Sequence, residues 1–194
     1  MTGGDLYCYP GSGVLKNKLG LMDADSLEAV ERALVVQRAT EGIPKGNFDL
    51  VHLCAIHRHL FQDVFEWAGE IRAVEISKGG HQFQFRQFIE TGMQDIHRRL
   101  KKANFLRGMN ASDFADAAGV IMGDVNYVHP FREGNGRTQL FYLAQLATHA
   151  GHPLDLTQLT PSNWIAASRA AHGADYKPMA AEIARVLATR SPDS

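Results

Sequence analysis

Phe114, Ala118, Ile121, Val125 and Val128 recur at three- and four-residue steps, and the pattern ends at His129. This is helical periodicity, and it is the cleanest apolar stripe in the chain. It delivers the backbone into His129-Pro130-Phe131-Arg132-Glu133-Gly134-Asn135-Gly136-Arg137. Leu140, Leu143, Ala144 and Ala147 then restart helical spacing, which stops near Gly151. Any fold open to this chain must therefore hold a short polar loop between two helices.

The remaining segments read the same way. A helix starts near Asp25, with Glu28 as a capping partner and Leu27, Val30 and Leu34 as its stripe. Residues 41–46 form a Gly- and Pro-containing loop. Leu50, Leu53, His57, Leu60 and Val64 mark a second helix that ends at Trp67-Ala68-Gly69. His57 falls on that stripe and reads as a satisfied core histidine, not as part of a metal group with His52 and His59. Residues 71–77 and 82–85 carry β-type alternation around Lys78-Gly79-Gly80-His81, a hairpin signal. Ile89, Met93, Ile96 and Leu100 give another helix. Thr160-Pro161 is a helix start, and Asp175 caps a last helix carrying Met179, Ile183 and Val186. The expected fold is mainly α, a helical bundle with one β-hairpin. Residues 1–22 read as an N-terminal arm, 23–190 as the folded domain and 191–194 as a disordered tail.

Composition narrows the function classes. A chain of 194 residues suits one domain. A formal net charge of −1 gives no broad footprint for direct nucleic-acid binding. The basic run at 98–102 reads as a solvated helix end. The two cysteines, Cys8 and Cys54, are far apart and fit a reducing compartment. No apolar run reaches membrane-spanning length and no signal peptide is evident, so the expected location is cytoplasmic, without a membrane partner.

The loop between the two central helices carries the chemistry. A helix starting at Asn135 presents unpaired N–H groups that favour anions. Gly134 and Gly136 let backbone approach a phosphate without a Cβ in the way, and Arg137 can fork onto phosphate oxygens. Glu133 is a hard ligand suited to Mg²⁺, which takes few carboxylates together with phosphates and water. His129 is the side chain whose ordinary pKa suits a general base. Together these residues describe phosphoryl or nucleotidyl transfer to a hydroxyl. Zinc spacing and the P-loop pattern are both absent.

This loop resembles the signature of the Fic family, H-x-F-x-[DE]-G-N-G-R-x-x-R, at His129, Phe131, Glu133, Gly134, Asn135, Gly136 and Arg137. Ile56-His57, Trp67-Ala68-Gly69 and Ile71-Arg72 are similar to the family's segment before its hairpin. Ser77, Lys78, Gly79 and Gly80, with Phe83, resemble its "flap". Residues 9–20 resemble the arm of its short, toxin-like branch. The resemblance implies a Fic-type helical bundle that transfers AMP from ATP to a hydroxyl of a target protein with Mg²⁺. In it His129 deprotonates the target Ser, Thr or Tyr, and Glu133 holds the metal. Gly134, Asn135 and Gly136 form the anion hole, and Arg137 meets the β-phosphate. The flap docks the target as an added strand, a task suited to an exposed alternation at Phe83 and Phe85. Trp164 and Tyr176 lie in the region where the family places its base; Trp164 reads as core and Tyr176 as a candidate for the nucleoside pocket.

Two departures matter. The final arginine of the signature is Leu140 here, which removes about 1.5–3 kcal/mol of charge-assisted bonding. That leaves weaker ATP binding, a different nucleotide or phosphate donor, or a degenerate binding module as outcomes, and the intact remainder favours a transferase. The family's inhibitory pattern, [ST]-x-x-x-E-[GN], is not completed at Glu41-Gly42, because position 37 is Gln37. The resemblance then implies control by a small antitoxin protein in trans. By analogy within that branch, a topoisomerase subunit is one candidate target.

Overall fold

The structure, a computed structural model, describes residues 5–187. Helix α4 (Ala111–Val128) packs against more of the other helices than any other described element does. Asn110 caps it by accepting from the Asp113 N–H, and Phe114, Ala118, Met122 and Val125 are fully buried along it. Small residues on the opposite side of α4 admit a second helix. A Cβ at Gly119 would lie 2.8 Å from the backbone nitrogen of Ala180, so α7 (Lys177–Arg185) can approach closely only because that atom is missing. Helix α6 (Pro161–His172) completes this side, capped by Thr160 with Pro161 in its first turn, as its sequence predicts.

On the other side lie α1 (Ala24–Thr40), α2 (Leu50–Phe61), α3 (Ile89–Lys102) and α5 (Asn135–Ala150). The bundle is mainly α, with one two-stranded antiparallel ribbon, β1 (Ser77–Lys78) and β2 (His81–Gln82), paired Ser77 to Gln82 and Lys78 to His81. The basic run at 98–102 is the last turn of α3, where Arg99 pairs with Asp95 and Asp124.

Several boundaries differ from the sequence expectation. Asp23, not Asp25, caps α1 by accepting from the Ser26 N–H. The inward stripe of α1 is Leu27, Glu31 and Val35, while Val30 is exposed. A carboxylate takes an inward position there because it meets a cation from α5. Helix α2 stops at Phe61, and turns carry the chain to Gly69. The hairpin is shorter than the 71–77 and 82–85 alternation suggests. Arg72, buried, sends its guanidinium to the carbonyls of Val74 (2.8 Å) and Gln84 (2.5 Å), which a longer ladder would have used. Asp175 lies one residue before the cap position of α7 and accepts from the Lys177 N–H. Within the arm, Tyr7 packs edge-on against Trp67 and its hydroxyl accepts from the Ala73 N–H. The tail at 191–194 lies outside the described residues.

Candidate functional site

His129 terminates α4 in a left-handed conformation, φ 46° and ψ 63°. Its Nδ1–H donates to the carbonyl of Asn126 at 3.0 Å, which leaves Nε2 as the unprotonated, accepting nitrogen. Burial pushes its pKa down to about 4; the Asn126 carbonyl opposes this, and the charges of Arg72 and Lys78 reinforce it. The imidazole is therefore neutral at pH 7. Phe83 stacks on it with centroids 3.8 Å apart. Phe83 is thus buried, not part of an exposed alternation; Phe85 alone of that pair is exposed.

The loop after His129 is held by α2 and by itself. Phe131 is fully buried and stacks on His57 at 3.9 Å. His57 donates from Nε2 to the carbonyl of Glu133 and accepts at Nδ1 from the Gly69 N–H. It is the satisfied core histidine expected, and its role is to fix the loop's shape. The amide of Asn135 accepts from the Phe131 N–H and donates to the Phe131 carbonyl. That side chain is occupied, so Asn135 offers an anion only its backbone N–H.

Gly134 precedes α5 at φ 80°, with no side-chain cap on the helix. A Cβ there would lie 2.5 Å from the Phe61 ring. At Gly136 nothing lies within 4 Å of the equivalent point, so the chain itself does not demand glycine there. Open space above a bare helix N-terminus suits an anionic ligand. Glu133 is half exposed, and its carboxylate accepts from the Gly134 N–H at 2.9 Å. Arg137 pairs with Glu31 at 2.5 Å, lies 3.9 Å from Glu133, and has its guanidinium carbon 4.7 Å from the centre of the Phe61 ring.

These groups share a cavity of about 510 Å³, walled by His129, Glu133, Gly136, Ser77, Lys78 and Trp164 among others. A second cavity of about 540 Å³ lies along α1; Glu133 and Lys78 line both, and Arg137 lines the second. The flap turn Gly79-Gly80 adopts positive φ at both positions and is exposed. Tyr176 is not in the lining of the first cavity. Its hydroxyl donates to Asp124 at 2.7 Å and its ring covers Gly123, so Trp164 stands on the cavity wall where Tyr176 was expected. Leu140 packs against the core and lines neither cavity. Among the described residues no three His, Cys, Asp or Glu side chains form a metal cage. The donor set at the loop is one carboxylate, Glu133, which fits Mg²⁺ completed by phosphates and water.

Sequence reasoning missed three participants. Arg72 donates to the carbonyl of His129 and ties it to the hairpin. Asn126 sets the His129 tautomer through its backbone, which no side-chain pattern reveals. Glu31 was hidden on an amphipathic helix, where a carboxylate reads as surface; its spacing with Leu27 and Val35 was the available signal.

A family model described as Fic/DOC family matches residues 47–147. The chain belongs to the Fic/DOC family. It is 38% identical over 184 residues to a probable protein adenylyltransferase, y4lH, of Sinorhizobium fredii, covering 94% of this chain and 96% of that protein. It is 39% identical to the protein adenylyltransferase VbhT of Bartonella schoenbuchensis, covering 94% of this chain and 39% of VbhT. Among solved structures, BepC of Bartonella tribocorum with bound AMPPNP superposes with a TM-score of 0.87 at 27% identity, covering 95% of this chain and 97% of that one. An N-terminal Fic domain of Bartonella quintana with bound ADP gives 0.87 at 28% identity, covering 94% of each chain.

Proposed function

We propose that this chain is a protein adenylyltransferase that transfers AMP from ATP to a Ser, Thr or Tyr hydroxyl of a target protein. The observation that carries the reading is the placement of His129. Its free Nε2 lies in one cavity with the uncapped N-terminus of α5 and the half-exposed Glu133. The relatives named as adenylyltransferases, and the related structures holding AMPPNP and ADP, support the same chemistry.

The N–H groups of Asn135 and Gly136 hold the phosphates, and Arg137 meets the β-phosphate. Glu133 would hold Mg²⁺, which would supply positive charge to offset that of the phosphates. The target hydroxyl gives its proton to Nε2 of His129 as its oxygen bonds to the α-phosphorus. The bond from the α-phosphorus to the bridging oxygen breaks, and pyrophosphate leaves with the electron pair. Negative charge brought in by the polyphosphate favours the imidazolium, so nucleotide binding restores basicity to a ring held at low pKa when free. The exposed edge at Ser77, Lys78, Gly79 and Gly80 docks the target segment by main-chain pairing.

Control in trans by a small antitoxin, and a topoisomerase subunit as target, accompany this reading by family branch. No helix among the described residues is long and apolar enough to cross a membrane. A cytoplasmic site of action suits the free thiols Cys8 and Cys54.

A second reading, transfer from another nucleotide or phosphate donor, is favoured by one observation: Leu140 brings no cation to the phosphates. The deciding experiment supplies α-labelled and γ-labelled ATP, GTP and UTP with Mg²⁺ and a bacterial lysate. Adenylyl transfer moves label to protein from α-labelled ATP alone. Label from the γ position, or from another nucleotide, establishes the second reading instead.

A further inference from the structure

Leu27, Glu31 and Val35 occupy successive inward turns of α1, and Glu31 is only 6% exposed. A carboxylate on an apolar stripe carries a desolvation cost unless it is paired. Its partner comes from another helix: Oε1 of Glu31 lies 2.5 Å from Nη2 of Arg137 in the first turn of α5. On a second side, the Phe61 ring of α2 lies under the same guanidinium. Arg137 is therefore clamped from α1 and α2 while Glu133 approaches to 3.9 Å. A guanidinium carries five N–H donors in a fixed planar fork. Holding one terminal nitrogen fixes the plane and leaves Nε and Nη1 for a phosphate.

The geometry points to Glu31 as a positioning residue for the proposed transfer: from α1 it sets the orientation of Arg137 so that the free edge of the guanidinium meets the phosphate held beside Glu133. The inference rests on the adenylyltransferase reading. It matters more in this chain than where a second arginine follows, because Leu140 leaves the guanidinium work to Arg137. Glu31 does not line the His129 cavity; it lines the second cavity together with Arg137 and Glu133. Burial pushes the Glu31 carboxyl above its ordinary value, with Arg137 opposing. An acid with a raised folded pKa costs stability when ionised at neutral pH, so Glu31→Gln should melt no earlier than the native chain.

The test is a double-mutant cycle with Glu31→Gln and Arg137→Ala, read by calorimetric ADP binding in the presence of Mg²⁺ and by KM for ATP in the transfer reaction. Glu31→Gln alone is expected to weaken ADP binding and raise KM about 10-fold, the scale of one mispositioned charge-assisted bond. In the Arg137→Ala background the same change is expected to do nothing further. Glu31→Asp, with the charge retained, should recover part of the loss. ADP binding unchanged or tightened by Glu31→Gln, or an equal loss in the Arg137→Ala background, overturns the assignment. A native chain that binds ADP but transfers no label sinks the transferase reading alone, since the ADP cycle still judges Glu31.

Discussion

The ring of Phe83 lies 3.8 Å from the ring of His129 and 17° from parallel to it. The residue that follows the hairpin thus covers one face of the imidazole at the end of α4. Desolvation is the largest cause of the depressed His129 pKa of about 4. Phe83→Ala admits water to that ring, so the pKa should climb by about 1 unit or more toward the ordinary histidine value. Proton NMR titration of the His129 ring checks this. No movement would mean that charge, not burial, holds the value down.

His57 is buried and His129 half-buried, and desolvation lowers the pKa of each to about 4. A histidine kept neutral by the fold contributes stability above its unfolded pKa. That contribution is lost as pH falls, because the unfolded chain takes up the proton first. Stability should therefore decline between about pH 6.5 and pH 4, by a few kcal/mol from the pair together. Replacing His57 by Gln should flatten the acid limb of urea unfolding measured across that window.

The glycines at 134 and 136 should behave oppositely on substitution. Gly134→Ala meets the Phe61 ring at 2.5 Å and forces a Cβ onto φ 80°, so it should destabilise the fold by about 1–3 kcal/mol. Gly136→Ala meets nothing and should melt like the native chain. On the proposed reading its new methyl stands where a phosphate approaches the N–H groups of α5, so ADP affinity should fall about 10-fold or more. Thermal melting and calorimetry on the two variants separate the roles.

Leu140 packs against the core and places no cation at either cavity. The family resemblance implies a guanidinium from position 140 at the third phosphate of ATP, and on the proposed reading Leu140 leaves that phosphate without it. ATP and ADP should bind with Kd values within about 3-fold of each other, less than one charge-assisted bond would separate them. Paired calorimetric titrations measure that ratio. A much tighter ATP complex would require another cation at the γ-phosphate.

The parts legible in the sequence were those written in local spacing. The stripe from Phe114 to Val128 yielded α4, and the loop from His129 to Arg137 yielded the candidate site, because periodicity and short motifs are properties of neighbouring residues. What stayed hidden depends on distant partners. Glu31 points inward because Arg137 is there to meet it. The hairpin is short because the Arg72 guanidinium takes its carbonyls. Phe83 is buried because His129 lies beneath it, although its alternation with Phe85 suggested exposure. Tyr176 turned away from the cavity to Asp124, a contact spanning helices that no local pattern encodes.

The central claim is that His129 takes the proton of a target hydroxyl while the α5 N-terminus holds the nucleotide. The most direct measurement compares the native chain with His129→Ala for transfer of α-labelled ATP to protein, alongside ADP binding by calorimetry. The account predicts that transfer falls by about 100-fold or more, the scale of a lost general base, while ADP affinity stays within about 3-fold. Transfer that survives His129→Ala at near-native rate would contradict it.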